Sequence, residues 1–267
     1  MMRGNKTAIY RNSLGRELIF DNCGQLYLES IDMTGVSGIH TVESLAGADG
    51  QQTIESHLAA RTIPCSFALL DPDNNGWIRR ELAQIFSPLL NGTLTVYTKF
   101  DKYEIDVRPT NNPVFRMGEV DCVWRFDVDF VADYPLWRVG APQVRTVPIT
   151  NTETIIRSDC TIDIPPDIIV RSNTSGVILV QNRQTYSYQT CFYLGARIYD
   201  VKINTRDFRV TKLSDGSNCS QLIDSSYDIS AIRLKYGDNT FKAYYAGSGP
   251  SGQAVEFHYS RLSLGEV

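Results

Sequence analysis

Apolar and polar residues alternate along most of this chain, which is the period of a half-buried β-strand. The clearest case lies between Val120 and Phe130, where every second residue is hydrophobic and Asp121, Asp127 and Asp129 stand between them. We interpret these carboxylates as one solvated strand face. Shorter alternating runs predict two hairpins, formed by residues 14–20 with 26–31 and by residues 93–98 with 103–107.

One segment of the first half has a helical period instead. Its apolar residues recur at the spacing of a single helical face: Ile78, Leu82, Ile85, Phe86 and Leu89. This pattern predicts one amphipathic helix over residues 77–90, packed on the β-structure. Pro88 marks its end, because proline removes a backbone donor and restricts the residue before it.

The residues before this helix resemble half of a calcium-binding loop. Asp71-x-Asp73-x-Asn75-Gly76 matches the first half of an EF-hand, but the twelfth position, which needs a bidentate Glu, is Leu82. We therefore expect no metal, and we interpret Asp73 and Asn75 as candidate helix caps, together with Asn74.

Residues 32–60 form a long segment rich in Gly, Ser and Thr. It exceeds the length at which structureless connections become uncommon in a domain. Ile54 and Leu58 could also belong to a short helix, so the pattern leaves the secondary structure of this segment open.

The second half consists almost entirely of short strand patterns separated by polar turns, which is typical of an antiparallel sandwich. The predicted strands are 162–170, 176–180, 190–203, 208–213, 231–236, 240–245 and 255–259. Periodicity is weak around Pro142 and Pro148. We therefore expect a first domain over residues 1–140, a linker over 141–150 and a second domain over 151–267.

The composition sets limits on function. A chain of 267 residues suggests two domains, and its net charge of -4 disfavours a protein that holds nucleic acid through its phosphates. No apolar run approaches the roughly 18 residues of a membrane span, and no apolar signal core follows the N-terminal Met-Met-Arg-Gly-Asn-Lys, so neither membrane insertion nor secretion is expected. The six cysteines lack zinc-site spacing, and we interpret them as free thiols.

The sequence offers little support for catalysis. It has three histidines, none in a Cys or Ser context that suggests the base of a nucleophile, and it lacks the common hydrolase, metalloprotease, phosphate-loop and dinucleotide motifs. A glycoside hydrolase would need two carboxyl groups a few ångströms apart in a cleft, which a sequence does not show. We expect no enzyme activity and no cofactor.

The second half is rich in tyrosine, which keeps an alternative function open. Sugar sites often use exposed aromatic rings on β-sandwiches. Most aromatic residues here alternate with the strand pattern, but Tyr186 and Tyr188 lie in a polar, turn-like stretch. They are the candidate sugar or partner contacts of a carbohydrate-binding module for attachment to a host surface.

Several short motifs occur in a characteristic order. The first half has Gly47-x-Asp49-Gly50, Arg61-x-Ile63, the helix, an apolar strand over 94–97 and Asp133-Tyr-Pro135. The second half has Asn173-Thr-Ser-Gly176, Val201-x-Ile203-x-Thr205 and Leu234-x-x-Gly237-x-Asn239. Together they cover nearly the whole chain, and their order and spacing resemble the distal tail (Dit) proteins of long-tailed, non-contractile bacteriophages.

This resemblance implies a fold and a structural role. The first domain would be a tail-tube-like β-barrel or sandwich with one helix, and the second a galectin-like antiparallel β-sandwich. Six copies would form a ring in the virion, at the distal end of the tail, after assembly in the host cytoplasm. The ring would join the major tail tube protein to the tip or hub protein and to receptor-binding proteins. DNA would only pass through its channel.

The segment 32–60 is the candidate contact between neighbouring copies. Its apolar residues are too sparse to form a core, so a partner surface would be needed to order it. The candidate interface residues are Val36, Ile39, Val42, Leu45, Ile54 and Leu58, with Asp49 and Gly50 of the turn.

The incomplete calcium motif leads to a first prediction. Calcium added after exhaustive chelation should leave the melting temperature unchanged, because a site without its bidentate Glu gains little free energy from the ion. Thermal melts with and without calcium test this. A rise of several degrees would indicate a site at residues 71–76.

Overall fold

A computed structural model of the chain describes residues 7–21, 24–44, 51–70, 76–118, 122–171, 176–184, 187–195 and 199–265. They form many β-strands and one α-helix, which confirms the expected mainly β class. The chain divides into two structural units. The first unit contains residues 1–140 and 263–267, and the second contains residues 141–262.

The first unit contains the helix and the first strands of the chain. In order these are β1 (Thr7–Asn12), β2 (Glu17–Phe20), β3 (Leu26–Ile31), β4 (Gly38–Ser44), β5 (Gln51–Leu58), β6 (Arg61–Leu70), α1 (Gly76–Ile85), β7 (Gly92–Tyr97), β8 (Lys102–Pro109), β9 (Arg116–Met117), β10 (Val123–Ala132) and the beginning of β11 (Trp137–Pro148).

Two antiparallel ladders enclose the core of this unit. One runs β2-β1-β7-β8, and the other runs β3-β6-β10-β9. The end of β8 also pairs with β10, which joins the ladders at Phe130 and Pro109. Inward residues alternate with outward ones on each strand, as on β10, where Phe126, Val128 and Phe130 are buried.

The helix places one aromatic ring at the centre of this core. Leu82, Ile85 and Phe86 are buried, and the ring of Phe86 has five aromatic neighbours. Its centroid lies 5.3 Å from Tyr10, 6.2 Å from Phe20, 6.0 Å from Phe67, 6.1 Å from Phe126 and 6.0 Å from Phe130. Residues of both ladders therefore pack around one side chain, that of the residue directly after the helix.

The helix is shorter than the predicted 77–90. It ends at Ile85, although the amide of Phe86 still donates to the carbonyl of Leu82 at 3.0 Å. Pro88 has no backbone N–H and so cannot continue the hydrogen bonds of the helix, as expected. The assignment of Leu89 to the apolar face is wrong, because Leu89 follows the helix and is 93% exposed.

The first predicted hairpin is also wrong. β2 pairs with β1, which the pattern missed, and β3 pairs with β6 in the other ladder. A tight turn after Asn12 causes this arrangement, because its side-chain oxygen accepts from the amides of Leu14 and Arg16, each at 3.1 Å. The second predicted hairpin is confirmed as β7 and β8.

The second unit begins with the rest of β11 and continues with eight strands in its described residues. These are β12 (Thr154–Ser158), β13 (Asp167–Arg171), β14 (Val177–Gln184), β15 (Ser187–Leu194), β16 (Val201–Asn204), β17 (Arg209–Lys212), β18 (Gly237–Tyr245) and β19 (Ala254–Ser263). They form two antiparallel ladders, β17-β16-β13-β19 and β12-β18-β14-β15. Phe192, Phe241 and Phe257 are fully buried in its core.

Four details of this unit differ from expectation. β11 continues to Pro148, so most of the expected linker 141–150 is a strand. The predicted run 190–203 is divided between β15 and β16. The predicted strand 231–236 is wrong, because Ala231 ends a short 3₁₀ turn, Ile229–Ala231, and Leu234 forms an isolated bridge with Ile164 rather than part of a strand. β12 was not predicted. The roles assigned to the two domains stay predictions.

The described cysteines are unbridged, and Cys65, Cys160, Cys191 and Cys219 are buried. Cys122 is partly exposed, and Cys23 lies outside the described residues. Burial raises the pKa of the Cys65 thiol, with a further contribution from Asp129. Cys65 therefore acts as a small apolar core residue.

The packing of the helix leads to a second prediction. Leu82→Asp should destabilise the first unit by roughly 3 kcal/mol or more, because it places an unpaired carboxylate in the core. Tryptophan fluorescence during denaturation measures this effect selectively, since all three tryptophans lie within residues 1–140.

The matched control is Gln84→Asp, which places the same charge on an exposed position of the same helix. Its effect should stay within roughly 0.5 kcal/mol. Equal destabilisation by the two variants would contradict the assigned apolar face.

Candidate assembly interface

Strands β4 and β5 form an arm, defined here as residues 38–58. They pair from Gly38 and Leu58 outwards to Ser44 and Gln51, with a bulge after Thr41. In the described residues this pair is a sheet of two strands, separate from the other ladders. The segment left open by the sequence is therefore a β-hairpin, and Ile54 and Leu58 belong to a strand rather than to a helix.

The arm exposes apolar side chains on both faces. Ile39 is 45% exposed and Leu58 is 39% exposed. Since Ile39 is paired with His57, and Gly38 with Leu58, the side chains of Ile39 and Leu58 point to opposite faces. A two-stranded hairpin is marginally stable in water at best. The arm therefore needs another surface for stable folding.

The remaining candidate interface residues are placed as follows. Val36 is half-buried in the connection between β3 and β4. The backbones of Val42 and Ile54 belong to β4 and β5. Leu45, Asp49 and Gly50 lie outside the described residues. The contact role of all these residues stays a prediction.

The arm and its connections carry only one sign of formal charge. Residues 32–60 contain four carboxylates, Asp32, Glu43, Asp49 and Glu55, and no Lys or Arg. A surface that receives the arm should therefore be neutral or basic.

A buried arginine holds the root of the arm. Arg61, only 1% exposed, begins β6 directly after the arm. Its guanidinium donates to the carbonyl oxygens of Met33 at 3.0 Å and Pro135 at 3.3 Å, and to that of Leu264. Burial lowers the pKa of Arg61, while the nearby Asp32 carboxylate opposes this shift.

Sequence reasoning used Arg61 only as part of a motif and missed this role. A signal was present, because Arg61 occupies the same strand face as Ile63 and Cys65, both of which are apolar. An arginine at an inward position of a strand needs hydrogen-bond acceptors.

The outward faces of the first unit carry cations that are ion-paired. Lys102 contacts Glu104, Arg125 contacts Glu29 at 2.9 Å, and Arg138 contacts Asp106 at 2.7 Å and Glu104 at 3.0 Å. Arg11 is paired with Glu17, and Arg108 lies 3.7 Å from Asp133. The hydrogen bonds that Arg138 donates to Asp106 raise the pKa of Arg138, so this partly buried pair stays charged.

Of the carboxylates expected on a solvated face of β10, Asp127 is exposed and Asp129 is half-buried. Asp127 is exposed and accepts a hydrogen bond from Ser66 at 2.7 Å. Asp129 accepts through its backbone oxygen from Thr110 at 2.8 Å, while Asp121 lies outside the described residues.

Two exposed apolar tips lie at opposite ends of the β1–β7 ladder. At one end, Leu14 is 71% exposed and Leu89 is 93% exposed, and a backbone bond of 2.7 Å from Ser13 to Asn91 joins their loops. At the other end, the turn between β7 and β8 presents Phe100, which is 81% exposed.

Tyr188 is not a free stacking platform. Its hydroxyl donates to the Glu153 carboxylate, and the Lys242 ammonium lies 3.2 Å from that carboxylate and 4.1 Å from the Tyr188 ring centroid. The hydrogen bond from Tyr188, and then that from Lys242, holds the pKa of Glu153 below its ordinary value. Tyr186 lies outside the described residues.

The described residues contain no group of three or more His, Cys, Asp and Glu side chains that could hold a metal ion. His258 lies 3.0 Å from Glu256, whose carboxylate also accepts from Arg171 at 2.5 Å. Within the described part of the chain, the helix is too short and polar to cross a membrane. The expectation that the chain is not an enzyme stays a prediction.

These features define the class of fold. The chain combines two antiparallel β units, one of which carries the helix and the projecting arm. This is the fold of hub and baseplate proteins of bacteriophage tails.

The individual similarities are as follows. The Dit (gp 19.1) protein of phage SPP1, described as a paradigm of the hub adsorption apparatus in phages that infect Gram-positive bacteria, matches with a TM-score of 0.67 and 16% identity over 97% of this chain and 99% of that one. A chain of the phage P2 baseplate in its activated conformation with Ca matches with a TM-score of 0.58 and 9% identity, over 98% and 99% of the two chains.

The strontium form of the same baseplate gives a TM-score of 0.57 at 9% identity. No model of a protein family matches the chain, and no curated protein is significantly similar to it. The similarity thus lies in the fold, and it confirms the fold that the sequence motifs implied.

The geometry at Tyr188 leads to a third prediction. The chain should not bind common cell-wall saccharides with millimolar or better affinity, because the ring and hydroxyl of Tyr188 already have protein partners. Calorimetric titration or a glycan array measures this. Saturable binding that is lost in Tyr188→Ala but kept in Tyr236→Ala, an exposed tyrosine elsewhere, would contradict this prediction and favour the carbohydrate-binding function.

Proposed function

We propose that this chain is a structural virion protein that forms a homo-hexameric ring at the distal end of a phage tail. The ring joins the major tail tube protein to the tip or hub protein and leaves a channel for DNA. The observation that carries the proposal is the match of fold, over essentially the full length of both chains, to a hub protein of a phage adsorption apparatus.

The arm supports the formation of a ring. It is a two-stranded hairpin with exposed apolar side chains on both faces, so it gains stability from a partner surface. A second copy of the chain is always present to supply that surface. An arm that binds a different site on its neighbour makes a head-to-tail contact, and such contacts end only when the ring closes.

The paired cations support a channel through which DNA slides. DNA phosphates bind unpaired Lys and Arg side chains and release counterions. On the ladders of the first unit, Arg11, Lys102, Arg108, Arg125 and Arg138 each have a carboxylate nearby. A channel lined by these ion-paired side chains would hold DNA weakly.

The two apolar tips are suitable contacts along the tail axis. Leu14 and Leu89 lie at one end of the β1–β7 ladder, and Phe100 lies at the other. A ring between a tube and a hub needs two different axial surfaces. We assign one tip to the tube subunit and the other to the hub protein.

The second unit is the galectin-like part of the proposal. It provides a sheet face with the Tyr188, Glu153 and Lys242 cluster, and we assign it to contacts with receptor-binding proteins. The protein would reside in the virion at the tail tip and would assemble in the host cytoplasm.

The fourth prediction tests the ring. The double variant Ile39→Ser/Leu58→Ser should lose roughly 2–4 kcal/mol at each interface between copies, because two apolar contacts are removed. Light scattering and electron microscopy of the purified chain, alone and with tail tube subunits, should show hexamers for the wild type and monomers for this variant.

The matched control is Thr41→Ser/Thr53→Ser, which changes two exposed polar positions of the same arm. It should assemble like the wild type. Tryptophan fluorescence checks that each variant keeps a folded first unit. A wild-type chain that stays monomeric under all these conditions would refute the ring, and hexamers of the Ile39→Ser/Leu58→Ser variant would refute the role of the arm.

A further inference from the structure

The end of the chain returns to the root of the arm. After the second unit, residues 263–267 belong again to the first unit. The carbonyl oxygen of Leu264 accepts a hydrogen bond from the guanidinium of Arg61, which begins the strand that leaves the arm. The same terminal guanidinium nitrogen donates at 3.0 Å to the carbonyl oxygen of Met33, which precedes the first strand of the arm.

Gly265 allows the backbone after Leu264 to lie very close to Met33 and Arg61 at the root of the arm. A side-chain carbon at this position would lie 1.8 Å from the carbonyl oxygen of Met33 and 3.3 Å from the Arg61 guanidinium. The backbone of Gly265 also has a φ of 124°, a conformation that favours glycine. The hydroxyl of Ser263 accepts from the Gly265 amide at 3.1 Å and fixes this turn. Position 265 therefore requires glycine for two reasons, the backbone conformation and the lack of space for a side chain.

Backbone hydrogen bonds flank the root of the arm on both sides, and the side chain of Met33 is buried in the core of the first unit. On one side of the root, the amide of Asp32 donates to the carbonyl oxygen of Pro64 at 3.2 Å. On the other side, the amide of Ala59 donates to the carbonyl oxygen of Ser37 at 2.9 Å. Between these bonds, Arg61 links the entering and leaving strands through Met33. A buried guanidinium needs its acceptors, so loss of Leu264 as an acceptor would weaken the whole group of bonds.

We propose that residues 263–265 form a latch that fixes the arm at its root and so permits ring closure. The inference rests on the proposed function, in which the arm binds the neighbouring copy. It adds a condition on assembly. Because residues 141–262 precede the latch in the chain, the arm becomes fixed only after the second unit has been synthesised. Incomplete chains would then be kept out of rings.

The fifth prediction compares two glycines. Gly265→Ala should displace the latch, whereas Gly252→Ala provides the control, since Gly252 has a φ of 79° and no atom within 4 Å of the added carbon. Both variants strain the backbone, but only the first collides. Hydrogen exchange of the root amides Asp32 and Ala59, measured in the monomeric fraction, should be about tenfold faster in Gly265→Ala and unchanged in the control.

A chain that ends at Leu262 gives a second test. It removes the latch entirely and should behave like Gly265→Ala, with tryptophan fluorescence showing that the first unit stays folded. Both latch variants should also assemble into rings at least about tenfold less efficiently than the control.

The outcomes separate the latch from the ring. Unchanged root exchange in both latch variants refutes the latch, whatever their assembly state. Faster exchange of the root amides together with normal ring formation refutes the claim that the latch governs assembly. If the wild type forms no ring, the proposed function fails, while the exchange ratio in the monomer still decides whether the latch exists.

Discussion

The packing of Phe86 among five aromatic rings is the interaction on which the first unit depends. Two β ladders can enclose a core only if a large apolar volume fills the space between them. The short helix supplies that volume, because Leu82, Ile85 and Phe86 all face inwards. Rings from both ladders contact Phe86, so the two layers hold each other in place through it.

The same packing explains why the arm stands apart. The aromatic core is complete without β4 and β5, whose strands pair only with each other in the described residues. An element outside the core must gain its stability elsewhere. Arg61 and its carbonyl acceptors restrain the root, and a partner surface must restrain the rest. The proposed ring would supply this partner surface.

Sequence periodicity predicted the elements whose pattern is local. β10, the β7–β8 hairpin and most strands of the second unit have a clear period of two, and they were identified correctly. The partner of a strand is not a local property, so β2 and β3 were wrongly paired with each other. The arm escaped identification because its pattern is irregular on both strands. Ile39 and Val42 of β4 are three residues apart in the sequence, and the bulge leaves Ile54 of β5 without a paired residue between Glu55 and Thr53. Arg61 was missed for a related reason, since its acceptors Pro135 and Leu264 are remote in sequence.

The free strand edges agree with a head-to-tail arrangement of copies. In the described residues, β3 pairs only with β6, β2 only with β1 and β9 only with β10, so these three are edge strands of the two ladders. Exposed edges invite pairing with another chain. A closed ring uses two unlike surfaces of every copy, whereas a two-fold dimer would use one surface twice. The arm leaves the first unit between β3 and β6, beside one of these edges. An arm that binds a neighbour there would also cover the edge, and the same contact would both close the ring and prevent uncontrolled strand pairing.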